Sequence, residues 1–143
     1  MFAAKIQKQS FLGIALITST IALGLPTSVK AQSEDISAIL VQTADMMNAN
    51  LPTMIDEDIQ WDSSVAGPGK ILSYNYTVFN YDSTVIDTEQ FSDNIHGFLV
   101  DTVCTTPATQ IFPKNGVLLN FNYYDSEHEL ISKVQVPPSD CGY

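Results

Sequence analysis

The chain has 143 residues, and its six lysines face sixteen acidic residues with no arginine, for a net charge of −10. Such a surface repels phosphate backbones and anionic headgroups, which excludes nucleic acid and disfavours docking to a lipid surface. It favours cationic partners at low salt, although an acidic surface also serves plain solvation.

Residues 1–31 read as a leader. Lys5 and Lys8 supply a positive start, and Phe11 to Leu25 form an apolar run too short and too early for a spanning helix. Pro26 breaks the run, and Val29-Lys30-Ala31 places small residues at both recognition positions, so cleavage is expected after Ala31. The proportions are those of a bacterial export signal, and the competing assignment is an uncleaved N-terminal anchor. No cysteine stands at the cleavage site, so a lipid anchor is not indicated, and with the leader removed no stable membrane anchor is expected. Residues 32–143 then form one domain, periplasmic or secreted. All sixteen acids fall in it beside Lys70, Lys114 and Lys133 alone, which gives −13.

An even pair of cysteines behind an export signal predicts a disulfide between Cys104 and Cys141. Closing a loop of that length is worth about 3–4 kcal/mol by the chain-entropy account. The alternative, a catalytic thiol at Cys104, lacks an activating neighbour in the sequence.

In chain order, Ser33 is the expected cap of a helix over 34–50, with Glu34 and Asp35 in its first turn. Ile36, Ile39, Leu40, Thr43, Met47 and Leu51 recur at helical spacing, and Pro52 ends the helix. Met46 and Met47 are expected to pack rather than bind. Residues 53–58 read as a polar connection, and Asp56-Glu57-Asp58 as a solvated turn rather than a calcium loop. Ile59, Trp61, Ser63 and Val65 alternate as a first strand, and Gly67-Pro68-Gly69 turns the chain into a second strand over 70–80. Val85 and Ile86 extend that strand or belong to the next loop. A second helix, capped by Asp87 or Thr88, carries Phe91, Ile95, Phe98, Leu99, Thr102 and Val103 as one buried stripe. Gly97 within it suggests close approach to the sheet, and Cys104 lies at its end. One helical turn is allowed over 108–112. Asn115-Gly116 then starts a third strand over 117–124, and a turn at Asp125–His128 leads to a fourth over 129–136. That last strand turns either Leu130, Ser132, Val134 and Val136 or Ile131, Lys133 and Gln135 inward, and Pro137-Pro138 ends it.

Two stretches repeat a pattern: Leu72-Ser73-Tyr74-Asn75-Tyr76 and Leu119-Asn120-Phe121-Asn122-Tyr123. Alternation puts the Leu and aromatic side chains on one face of each strand and the polar ones on the other. Both a duplication and convergence of half-buried strands produce this. These strands are the expected centre of an antiparallel four-stranded sheet. With two helices in the order α-β-β-α-β-β, the fold class is α+β, in two layers.

Chemistry-bearing motifs are sparse. His96 and His128 stand apart from other ligands at metal spacing; a site of His96, Asp93 and Cys104 would compete with the disulfide, and zinc on His128 and adjacent carboxylates is a further alternative to no metal. Neither a nucleophile elbow, a P-loop nor a dinucleotide fingerprint occurs, so no catalytic residue and no cofactor is assigned. The sixteen acids allow too many carboxylate pairs to single out a glycosidase pair. The aromatic side chains exceed what a small sheet face needs. Tyr74, Tyr76 and Tyr123 are therefore the candidate binding surface, the alternative being that they are core.

The spacing Asn48-x-x-Leu51-Pro52, Gly69-x-Ile71-Leu72-x-Tyr74-x-Tyr76, Cys104, Asn115-Gly116-Val117, Tyr123-Tyr124-Asp125 and Asp140-Cys141 resembles a group of small secreted bacterial proteins with one disulfide and no assigned activity. The resemblance spans nearly all of residues 32–143 and implies an exported, disulfide-bonded α+β domain. Ser126-Glu127-His128 replaces a glycine-bearing turn expected in that group. A looser likeness of layout is to cystatin-like folds and to pilotins of type II secretion. The resulting expectation is a non-enzymatic exported domain that binds a protein or small ligand or assists an envelope process. The alternatives are an inhibitor of a cationic secreted enzyme, such as a lysozyme or protease, and a small periplasmic hydrolase.

Overall fold

A computed structural model of the chain describes residues 35–81, 84 and 87–143. The leader, its cleavage point, the Ser33 cap and the possible strand at Val85-Ile86 lie outside the described residues. Helix α1 spans Ile36–Asn48, strand β1 Thr53–Met54, β2 Ile59–Gly67 and β3 Ile71–Val78. Helix α2 spans Thr88–Thr105, the short α3 Ile111–Lys114, β4 Leu118–Asp125 and β5 Leu130–Val136, and a 3-10 turn follows over Pro138–Cys141. The expected α+β class holds. The expected strand and helix counts do not: the described residues form five strands and three α-helices.

The fifth strand is β1, in the segment expected to be a polar connection, where Thr53 pairs with Trp61 and Met54 with Gln60. The strands lie in the order β1-β2-β3-β4-β5. All neighbours are antiparallel except β3 and β4, which are parallel and correct the expected all-antiparallel sheet. The cause is α2. An intervening helix returns the chain to the end of the sheet where β3 began, as parallel neighbours require.

The parallel register sets the two repeats side by side. Leu72 pairs with Leu119, Tyr74 with Phe121, Asn75 with Asn122 and Tyr76 with Tyr123. Like side chains therefore stand at one strand spacing. Tyr74 stacks on Phe121 and Tyr76 on Tyr123, each pair with ring centroids 5.1 Å apart. On the opposite face Asn122 donates to Asn75 (2.9 Å), Asn75 to Ser63 (3.0 Å) and Gln135 to Asn120 (2.9 Å). One face is thus an aromatic floor and the other a ladder of amides and hydroxyls.

Both long helices cover the aromatic face. Leu40 and Ala44 of α1 and Leu99 and Val103 of α2 join Leu72, Leu119, Val134 and Val136 in a single core. Asp35 caps α1, accepting from the Ser37 amide at 3.1 Å, and Asp87 caps α2 through the Gln90 amide. Two stripe positions, Ile39 and Phe98, face outward instead, and Met46, expected to pack, is exposed. Gly97 also faces solvent, since a methyl group built on it meets no atom within 4 Å, so close approach is not its role. On β5 both candidate faces contribute. Pairing jumps from Tyr123–Ser132 to Tyr124–Leu130, so Ile131 is the extra residue of a bulge and is buried while Leu130 is exposed. His128 adopts a left-handed backbone with φ 67°, the conformation that a glycine would supply. The Asp125 carboxylate holds that turn by accepting from the Glu127 and Glu129 amides, both at 2.9 Å.

Candidate functional site

The two helices do not meet over the centre of the sheet. Between them lies a cleft of about 520 Å³, lined almost wholly by apolar side chains. Its floor is the stacked rings of the two repeats, with Trp61 of β2 beside Tyr74 and Tyr76 at 5.7 and 6.4 Å between centroids. Thr43 and Met47 of α1 form one wall, and Phe98, Thr102 and Val103 of α2 the other. Phe112 of α3 closes one end, and Ile55, beyond β1, stands at the rim. Phe98 is 67% exposed and Ile55 54% exposed, a large apolar offering for side chains that could have been turned inward.

The candidate residues Tyr74, Tyr76 and Tyr123 are brought together here. They are buried in the floor of the cleft rather than spread on an open face, and they belong to the core. Burial pushes the Tyr74 and Tyr76 phenols far above their ordinary pKa, and for Tyr76 the neighbouring Tyr123 and Tyr74 add to it. The Tyr123 phenol is pushed up to about 12, again by burial. All three are neutral hydroxyls at any physiological pH. None has a hydrogen-bond partner among the described residues, so each is open to a ligand's donor or acceptor.

Both walls are tied down. Cys104 at the end of α2 is bonded to Cys141, with Cα atoms 5.2 Å apart, and His96 of α2 meets Asp140 at 3.2 Å. The expected disulfide is thus present, and it fixes the α2 wall to the C-terminal turn. On the other side Asn48 ends α1 and reaches the free edge of β2. Its amide donates to the Ser64 carbonyl (2.8 Å) and its oxygen accepts from the Ser64 amide (2.7 Å). One side chain thereby stands in for the neighbouring strand that β2 lacks at that point.

Phe98, Ile55 and Phe112 were not among the candidates from sequence. The helical stripe had turned Phe98 inward, so nothing in the sequence marked it as a rim residue. Among the described residues no three His, Cys, Asp or Glu side chains converge as a metal site. None of the described helices is long and apolar enough to cross a membrane.

No protein-family model matches the chain, and no curated protein sequence does either. Solved structures share its fold. It is similar to a protein of Pseudomonas aeruginosa described as secreted, with a TM-score of 0.63 and 19% identity over 74% of this chain and 92% of that one. It is similar to the pilotin EpsS of the Vibrio vulnificus type 2 secretion system, with a TM-score of 0.61 and 13% identity over 76% and 93% of the two chains. The type II secretion pilotin AspS of Vibrio cholerae matches with a TM-score of 0.57, 13% identity and 74% and 92% coverage. At these identities the likeness is one of fold.

Proposed function

We propose that this chain is an exported, non-enzymatic domain whose aromatic cleft takes an apolar segment of a partner protein during an envelope process. The observation that carries the reading is the cleft itself. Two tethered helices are held apart over a floor of stacked rings, and the rim side chains Phe98 and Ile55 are left uncovered. A segment that fills it exchanges water contact for ring contact, worth about 25 cal/mol per Å² of apolar surface buried. The tyrosine hydroxyls supply the few polar contacts that fix its orientation. The shared fold with two pilotins supports an envelope role, as does the export leader read in residues 1–31.

The test is site-specific photo-cross-linking in the exporting cell, with a benzophenone side chain replacing Phe98 and, as a control, the exposed Lys133 of β5, which pairs with Asn122. The expected result is a discrete protein adduct from position 98 and none from 133, lost when Ile55→Asp is added. An equal yield from both positions overturns the reading.

The charge of residues 32–143 favours a second reading, inhibition of a cationic secreted enzyme. Salt separates the two. An apolar segment stays bound at high salt, whereas an electrostatically steered enzyme is released.

A further inference from the structure

The opposite face of the sheet holds a second depression, of about 400 Å³, lined by Gln60, Asp62 and Ser63 of β2, Asn75 and Thr77 of β3, and Tyr124 of β4, with Pro52 and His128 at the rim. A β-bulge builds it. Trp61 pairs with Tyr76 and Ser63 with Asn75, so Asp62 is the extra residue between them. Strict alternation from Trp61 would keep Asp62 on the polar face beside Gln60 and turn Ser63 toward the aromatic core. The bulge instead presents Gln60, Asp62 and Ser63 together on the polar face, and bulges recur where a strand must re-aim a functional side chain.

The hydrogen bonds around Asp62 decide what could bind. The Gln60 amide donates to one carboxylate oxygen (2.7 Å) and the Thr77 hydroxyl to the other (2.8 Å). The Asn75 amide donates to Ser63 (3.0 Å) and the Asn122 amide to Asn75 (2.9 Å). The network turns its donors inward. It leaves lone pairs on the Asp62 carboxylate, the Gln60 carbonyl and the Thr77 oxygen as unused acceptors in the lining of the depression. Among the described residues no cation lies within ion-pair distance of Asp62. The Tyr124 ring stands beside it on the same face. A surplus of acceptors, one fixed and uncompensated carboxylate and an aromatic face together specify a donor-rich cation.

We propose that the Asp62 depression is a binding site for an alkylammonium or guanidinium group, carried by a partner's lysine or arginine side chain or by a free amine. Asp62 is the charge partner, Gln60 and Thr77 hold its carboxylate in place, and Tyr124 packs against the cation. The negative charge of residues 32–143 raises the local concentration of such ligands. The site lies across the sheet from the aromatic cleft and stands or falls separately from it.

The test is amide NMR of the exported protein titrated with N-acetyl-arginine amide, its neutral isostere N-acetyl-citrulline amide, methylguanidine and spermidine. The arginine probe is expected to shift resonances of Gln60 to Ser63, Thr77 and Tyr124, with citrulline at least tenfold weaker. Asp62→Asn should abolish the response. Gln60→Lys keeps Asp62 and supplies an internal cation, and should abolish it as well, so a folding defect in one variant does not spare the proposal. Tighter binding of the amino-acid probe than of methylguanidine assigns the group to a partner chain. Equal or tighter binding of the free amines assigns it to a small molecule. Either bears the proposal out. It is overturned if citrulline matches arginine, if both variants still respond, or if the shifts fall elsewhere.

Discussion

Asn48 is the residue on which the α1 wall depends. Replacing it with alanine removes two hydrogen bonds and leaves the amide and carbonyl of Ser64 without partners, at a residue only 2% exposed. Each bond is worth about 1 kcal/mol net, and each buried group left unpaired costs about 1–3 kcal/mol. The groups lie at a sheet edge, where water can replace part of what is lost, so the lower end of that range applies. Alanine at the last position of α1 returns about 0.5 kcal/mol of helix propensity. The expected destabilisation is about 2 kcal/mol, measured by urea unfolding as a midpoint lowered by about 1 M with the slope unchanged. Asn48→Asp should be at least as damaging, because it keeps an acceptor for the Ser64 amide but sets a carboxylate against the Ser64 carbonyl. A midpoint shift no larger than that of an ordinary surface substitution, about 0.5 kcal/mol, would refute the clamp.

Gly97→Ala should stabilise the domain by about 1 kcal/mol, seen as a Tm raised by about 4–8 °C, because the site is helical and open to solvent. Replacing Cys104 and Cys141 together with alanine should cost about 4 kcal/mol in the same unfolding assay, given the separation of 37 residues. Tyr74, Tyr76 and Tyr123 bind their protons more tightly folded than unfolded, so they stabilise the fold fully below the ordinary phenol pKa near 10. That contribution is lost as pH rises from about 10 through the folded values. In an alkaline titration followed by tyrosinate absorbance, their share of the signal should appear together with unfolding. A smooth rise with circular dichroism unchanged would show that they are accessible in the folded state.

Much of the fold was legible in the chain. The helix stripes, the Gly67-Pro68-Gly69 hairpin and the two aromatic strands follow from period, turn chemistry and breakers. The parallel pairing was also within reach, since a helix between two strands is the crossover such pairing needs. The expectation of an all-antiparallel sheet passed over that constraint. Strand β1 was not legible, because two residues show no period and their pairing is decided by β2. The bulges at Asp62 and Ile131 were hidden for a related reason: alternation assigns faces only until an extra residue enters, and both lie where the pattern breaks. The site was half visible. Period two put Tyr74, Tyr76 and Tyr123 on one face. It could not show that the covering helices stand apart, because that depends on where α1 and α2 are tethered. Asn48 and Cys104 hold those tethers from positions whose roles emerge only in three dimensions.

The central claim is that the paired rings are a floor for a partner and not only a core. Isotope-filtered NMR of labelled protein with the unlabelled segment captured from position 98 tests it most directly. Nuclear Overhauser contacts from the rings of Tyr76, Phe121 and Tyr123 to methyl groups of that segment are the predicted result. Contacts confined to the outer surfaces of the helices, with those rings silent, would contradict it.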